Sequence, residues 1–417
     1  MNHHRTVPRR SQGAVAWGGF GPPFPGALAG LVLLALASGC DAGEDPRGGP
    51  EGDLPLWSLE ETFETGSPEV AGYDLTDVPA VAVSPDGIAY VAEARDPGVR
   101  TFDAETGGYL DRFGREGPGP GEFERVSFLG LRGDTVWVSE PGWIHYFSPV
   151  GEPLRSQRVL FQPPAPSGPG ATVPLSEGWG LMSSTAMMIG PGPPMPMEMP
   201  RYLVHLDGDE AHRIPGIQPT QVAEVGRVGG RPVVVRRAFT GYDASAPAPD
   251  GSSVLVVEQA HAHEPAPDSF RVLRLGVTGD TLEAVEVPYL PVPVPDDQVE
   301  EVVEAEARAV ERAFPSASAA LAAVRAGLEL PGHFLPVSRI LPADDGTVWL
   351  ASYPGSAEPW LILGPDLAPI ARLAPPPDDL RALAVTGGAL WATREDEVGW
   401  TRLVRMELVR GSSSDPG

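Results

Sequence analysis

The 417-residue sequence contains no lysine, one asparagine (Asn2) and one cysteine (Cys40). Each shortage removes a class of chemistry. Without lysine there is no amine for Schiff-base catalysis and no Walker-type phosphate loop. A lone cysteine has no partner in the chain, so no internal disulfide braces the fold. Positive charge is scarce as well: 30 basic residues stand against 56 acidic ones, a formal net charge of −26. That balance excludes nucleic acid and anionic lipid surfaces as partners, and the densest basic stretch, residues 227–237, is small. No G-x-S-x-G elbow is present. The apolar run at residues 27–37 (ALAGLVLLALA) is too short to cross a bilayer. What abounds is glycine and proline, 50 and 49 residues, the composition of short strands joined by turns.

The first forty residues read as an export signal. Arg5, Arg9 and Arg10 precede the apolar run, and Ser38-Gly39-Cys40 follows it. The cysteine after Ser-Gly resembles the acylation site of bacterial lipoproteins, with Ala37 where those signals usually carry leucine. The resemblance implies a lipid on Cys40 and a membrane-anchored protein of the cell envelope, periplasmic or on the outer surface. Residues 41–54 are polar and Gly/Pro-rich, a flexible tether, and 411–417 read as a disordered tail.

Between them, 55–410, the sequence repeats. Residues 78–112 read as strand, Pro85-Asp86-Gly87 turn, strand 88–93, strand 98–103, Gly turn and strand 109–113. The pattern returns with Gly133-Asp134 before TVWVS, Glu177-Gly178 before WGLMS, Asp250-Gly251 before SVLVVEQ, Asp345-Gly346 before TVWLA and Gly387-Gly388 before ALWAT. Six four-stranded units predict an all-β, six-bladed β-propeller. The sixth unit lacks a fourth strand, and residues 56–63 have no blade of their own, so the N-terminal strand is expected to complete the last blade. Residues 296–330 break the strand pattern with helical spacing, an αα-hairpin insertion capped by Asp297 and Glu300. It would either pack on a rim or serve as a lid or docking surface.

Residues 91–123, with the crossing GREGPGPGEF, look like an NHL-type propeller repeat and like exported six-bladed propeller lipoproteins. The resemblance implies fold more than function, since such propellers include scaffolds, ligand sensors and a few enzymes.

Several constellations carry chemistry. Glu93 and Glu140 end equivalent second strands, as Glu258 does in a later unit. That position faces the channel mouth in NHL-type units, and lactonase-like propellers hold a channel calcium with carboxylates and asparagines, although the asparagine ligands of that family have no counterpart here. Ending strands in solvent is the plainer account of these carboxylates. His261 and His263 share a face at i and i+2 and suit zinc or copper. Met195, Met197 and Met199 offer thioethers for Cu(I), or an apolar loop. Arg236 and Arg237, with Tyr242, would present guanidinium and aromatic groups to an anionic ligand, or pair with the abundant acids. No cofactor is predicted, with calcium or copper as the alternatives. The reading that results is a non-enzymatic binding or scaffold propeller for an envelope protein or small molecule. A metal-dependent hydrolase or lyase in the channel and copper handling through the methionines stand as alternatives.

Overall fold

The computed structural model describes residues 54–410 apart from 68, 165–166, 187–196, 199, 215–218, 221, 229, 237, 240–243, 260–267 and 354. All of these belong to one compact unit, Glu44–Gly417. The export signal with Cys40, residues 41–53 and the tail lie outside the described residues.

The protein is a six-bladed β-propeller with a two-helix insertion. Blade 1 holds Val81–Val83, Ile88–Glu93, Gly98–Asp103 and Tyr109–Phe113 in that spatial order; blade 2 holds Phe128–Arg132, Thr135–Glu140, Trp143–Phe147 and Pro153–Arg158. Blade 3 runs from Ser167–Pro174 through Trp179–Ala186 and Arg201–His205 to Ala211–Arg213. Blade 4 runs from Ala244–Pro247 through Ser253–Glu258 and Ser269–Gly276 to Thr281–Pro288. Blade 5 comprises Arg339–Pro342, Val348–Ala351, Trp360–Leu363 and Pro369–Leu373. Blade 6 takes Leu380–Thr386, Ala389–Glu395 and Thr401–Val409 from the C-terminal end and Leu56–Thr65 from the N-terminal end.

First strands of neighbouring blades touch one another, blade 1 with blades 2 and 6, blade 2 with blade 3, and blade 5 with blades 4 and 6, so they form the inner ring. The second strand of each blade is sandwiched between the adjacent blades. That is why it reads as a continuous apolar run such as IAYVAE or TVWVSE rather than alternating. Successive side chains then serve opposite interfaces: Val136 and Val138 pack with Tyr90 of blade 1, whereas Trp137 packs with Leu181 of blade 3. Outermost strands such as Pro153–Arg158 are largely exposed. The Asp-Gly turns entering the second strands place Gly87 at φ 77° and Gly346 at φ 86°, where a side chain would be strained.

The ring closes as the strand count required. The N-terminal strand pairs antiparallel with Thr401–Val409, from Ser58 opposite Val409 to Thr65 opposite Leu403. Arg394 reaches across to Glu64 at 2.7 Å and Glu61 at 3.2 Å. The strand also continues in parallel pairing with blade 5, Leu56 with Arg372 and Trp57 with Leu373, so it fastens two blades at once.

The GREGPGPGEF crossing is a small structure in its own right. Arg115–Glu116 pairs in parallel with Glu122–Phe123, and Glu122 accepts from Gly119 N–H and Arg115 Nε, both at 2.8 Å. Phe123 is fully buried in the interface between blades 1 and 2.

The insertion consists of helix α1 (Asp296–Val310) and helix α2 (Ala317–Gly327). It packs on a β-hairpin, Val222–Val228 with Arg231–Arg236, which lies in the connection between blades 3 and 4. Val303, Ala307, Val324 and Leu328 of the helical segment share a core with Ala223, Val225 and Val235 of the hairpin. Two blade connections thus make one satellite layer. The expected capping box is not formed: Pro295 is the N-cap, Asp297 accepts only from the next residue, Gln298, and Glu300 pairs with Arg325 of α2. Starting the helix at Asp296 puts both aspartates in its first turn, where they complement the helix dipole instead.

Candidate functional site at the channel mouth

Strand direction alternates within each blade, so the ends of second strands and the starts of first and third strands meet one face of the ring. The connections between blades leave from this same face. They include the hairpin and both helices. We call it the mouth face.

Glu93 and Glu140 lie there, but neither ends its strand in solvent: they are 1% and 7% exposed. Glu93 accepts from Thr76 N–H at 3.2 Å and from Thr76 Oγ1 at 2.8 Å. Glu140 accepts from the N–H groups of Glu124 and Arg125 at 2.8 and 3.1 Å. Each carboxylate therefore ties its second strand to the chain entering the same blade. Gln259 does a related job in blade 4, exchanging two hydrogen bonds with the backbone of Val337. Glu258 is instead half-buried and paired with Arg271 at 2.8 Å. The other oxygen of Glu140 contacts His145 Nε2 at 3.0 Å, and His145 Nδ1 contacts Ser156 Oγ at 2.9 Å. This row crosses blade 2 toward its outermost strand, away from the inner ring, and fixes the buried imidazole.

The two carboxylates titrate differently. Burial pushes Glu93 up to about 6, with the Thr76 bonds and nearby Arg100 resisting the rise. Burial acts on Glu140 in the same sense, but the His145 bond and the two backbone N–H donors together outweigh it and hold that carboxyl below its ordinary value. A carboxyl whose native value stands above its unfolded one stabilises the fold fully at low pH, and that stability is lost as pH rises through about 6. The loss amounts to about 2 kcal/mol. Glu93→Gln, which keeps an acceptor for Thr76, is expected to remove the fall in stability between pH 4.5 and 6. Denaturant midpoints across that range check this; an unchanged slope would refute it.

Arginine, not acid, marks the inner ring at this face. Arg339 opens the first strand of blade 5, and Arg381 stands second in the first strand of blade 6. Arg381 donates from Nη2 to Val78 O at 2.6 Å and from Nε to Thr393 Oγ1 at 3.3 Å. Burial, and after it the neighbouring Arg381, lowers the pKa of Arg339. Sequence reasoning had placed guanidinium recognition at Arg236 and Arg237 and missed this pair. The available signal was its position: both arginines stand seven residues before the turn glycine of their repeat (346 − 339 and 388 − 381).

Among the described residues no group of three or more His, Cys, Asp or Glu is arranged to hold a metal ion. Met195, Met199, His261, His263, Arg237 and Tyr242 lie outside the described residues. The backbone of Met197 pairs with Thr220, and that of Arg236 pairs with Val222 in the satellite hairpin. No described helix is long and apolar enough to cross a membrane.

No family model matches the chain, and no curated protein matches it. Solved structures do resemble it. A luciferin-regenerating enzyme is 10% identical with a TM-score of 0.42, covering 84% of this chain and 95% of that one. A streptogramin B lyase is 14% identical at 0.39, covering 84% and 98%. Regucalcin, a calcium-binding protein from Agrobacterium tumefaciens, is 8% identical at 0.41, covering 86% and 97%. At such identities the likeness concerns fold alone.

Proposed function

We propose that this chain is an exported binding propeller of the cell envelope, anchored through a lipid on Cys40, which holds a protein or small-molecule ligand at its mouth face. The observation that carries the reading is how charge is used there. Glu93 and Glu140, the carboxylates best placed for a channel metal, accept hydrogen bonds from backbone N–H groups, whereas arginines flank the inner ring. A calcium ion wants six to eight oxygen ligands, and oxygens already facing N–H donors serve it poorly. Hydrolase or lyase chemistry in the channel would need convergent carboxylates or histidines; a binding site for a ligand of opposite charge needs the arginines. Export and anchoring rest on residues 1–40.

The test is elemental mass spectrometry on the full chain, purified from detergent-solubilised membranes without chelators. The expected result is no stoichiometric metal, with the protein leaving the membrane fraction when Cys40→Ser is introduced. Stoichiometric calcium would overturn the reading in favour of channel catalysis, and stoichiometric copper in favour of the segment with Met195, Met197 and Met199. Persistence of the Cys40→Ser protein in membranes would overturn the lipid anchor.

A further inference from the structure

We infer that Arg339 and Arg381 form an oxyanion site at the channel mouth, which takes the carboxylate or phosphate group of the ligand. The inference rests on the binding role proposed above and assigns its chemical class.

The register of the inner ring brings the two residues to one level. Ala343 and Val385 form a parallel bridge between the first strands of blades 5 and 6, and within their blades Arg339 lies opposite Ala351 and Arg381 opposite Thr393, each two residues beyond the tryptophan of its second strand, Trp349 or Trp391. Along the blade 5 strand, Ile340 packs toward blade 4, whereas Leu341 and Ala343 pack against blade 6. Alternation therefore puts Arg339 on the blade 6 side, toward Arg381. The two guanidiniums differ in what they already hold. Arg381 is fixed by Val78 O and Thr393 Oγ1, which leaves its Nη1 unspent. Arg339 is half-buried and has no hydrogen-bond or ion-pair partner among the described residues.

Arg339 therefore carries no counter-charge from the described residues. A guanidinium removed from water normally acquires a carboxylate, because an unpaired buried charge is costly. This chain has 56 acidic residues to draw on, and several half-buried arginines use them: Arg274 pairs with Glu283, Arg394 with Glu61, Glu64 and Asp379, and Arg402 with Asp396. Instead, the charge that acts on Arg339 is a second arginine, which lowers its pKa in the same sense as burial does. A bound oxyanion reverses both penalties. The planar fork of Arg339 offers paired donors to a carboxylate or phosphate, and Nη1 of Arg381 offers a further one.

Thermal unfolding of the full chain in detergent separates this from a structural role. Sodium phosphate and sodium succinate are titrated against sodium chloride at matched ionic strength. The wild-type midpoint is expected to rise by about 3 °C at saturation with at least one of the two, and not with chloride. Phosphate alone would assign a phosphate group, succinate alone a carboxylate. Arg339→Met is expected to lose this response while unfolding no lower than wild type without ligand, since it removes an unpaired charge. Arg308→Gln, on the outer face of α1, is expected to retain it. Equal shifts in chloride, a retained response in Arg339→Met, or a destabilised Arg339→Met would each overturn the site. No wild-type response to either anion would also overturn it. A metal-free protein that ignores both anions would leave the binding role standing without this site.

Discussion

Removing residues 54–65 should unfold the protein, although the segment lies outside all five complete blades. It supplies the outer strand of blade 6 and the parallel junction to blade 5, and Arg394 is held by its two glutamates. Each lost backbone hydrogen bond is worth about 1 kcal/mol, so the strand accounts for more than about 5 kcal/mol before side chains are counted. That is the scale of a whole domain's stability, about 5–15 kcal/mol. The deletion would also bare the edge of Thr401–Val409, a template for aggregation. Loss of a cooperative urea transition, together with increased light scattering, is the expected outcome. Moving the strand should undo the damage. Because Ser58 lies opposite Val409, a copy of residues 58–65 attached after Arg410 through a short Gly-containing turn would form a hairpin in the native register. If the deleted protein melts like wild type, the closure contributes nothing; if the relocated strand fails to restore the transition, the junction to blade 5 is the essential part.

Gly114→Val is the second change expected to be severe. Gly114 opens the crossing between blades 1 and 2 at φ 73°, and a Cβ there would sit 2.3 Å from Phe123 Cε2. The left-handed backbone costs a non-glycine residue about 1–2 kcal/mol. Forcing atoms against a packed ring adds about 1–3 kcal/mol. Phe123→Ala alone should cost about 3–5 kcal/mol through the cavity it leaves. The two sites are coupled, so the Gly114→Ala/Phe123→Ala double variant should lose less than the sum of its single changes. Urea midpoints of the four proteins measure this, and strict additivity would show that the ring can move aside.

The blades were legible in the sequence because their signals are local. Asp-Gly turns fix where second strands begin, and burial on both faces makes those strands uniformly apolar, as in Thr135–Glu140 and Val348–Ala351. Closure was legible by subtraction: one unit lacked a strand and one strand lacked a unit. The satellite hairpin was not. Its residues 227–237 stand out by charge, whereas its apolar face of Ala223, Val225 and Val235 finds its partners only in helices much further along the chain. Glu93 and Glu140 were found as a pair of equivalent positions, but their burial is set by Thr76 and by Glu124 and Arg125, on crossings that no local pattern aligns with them.

The sequence by itself determined the strands, the turns, the number of blades and the need to join the two ends, because each depends on spacing within one repeat. It also excluded lysine chemistry and internal disulfides outright. Only the tertiary structure decided how the mouth face is charged. Ring geometry buries two strand-end glutamates against backbone donors, and it brings two arginines from separate repeats to one level beside the channel. The energy of a charged group depends on what surrounds it in space, and in a propeller those surroundings come from neighbouring blades, a full repeat away in the chain.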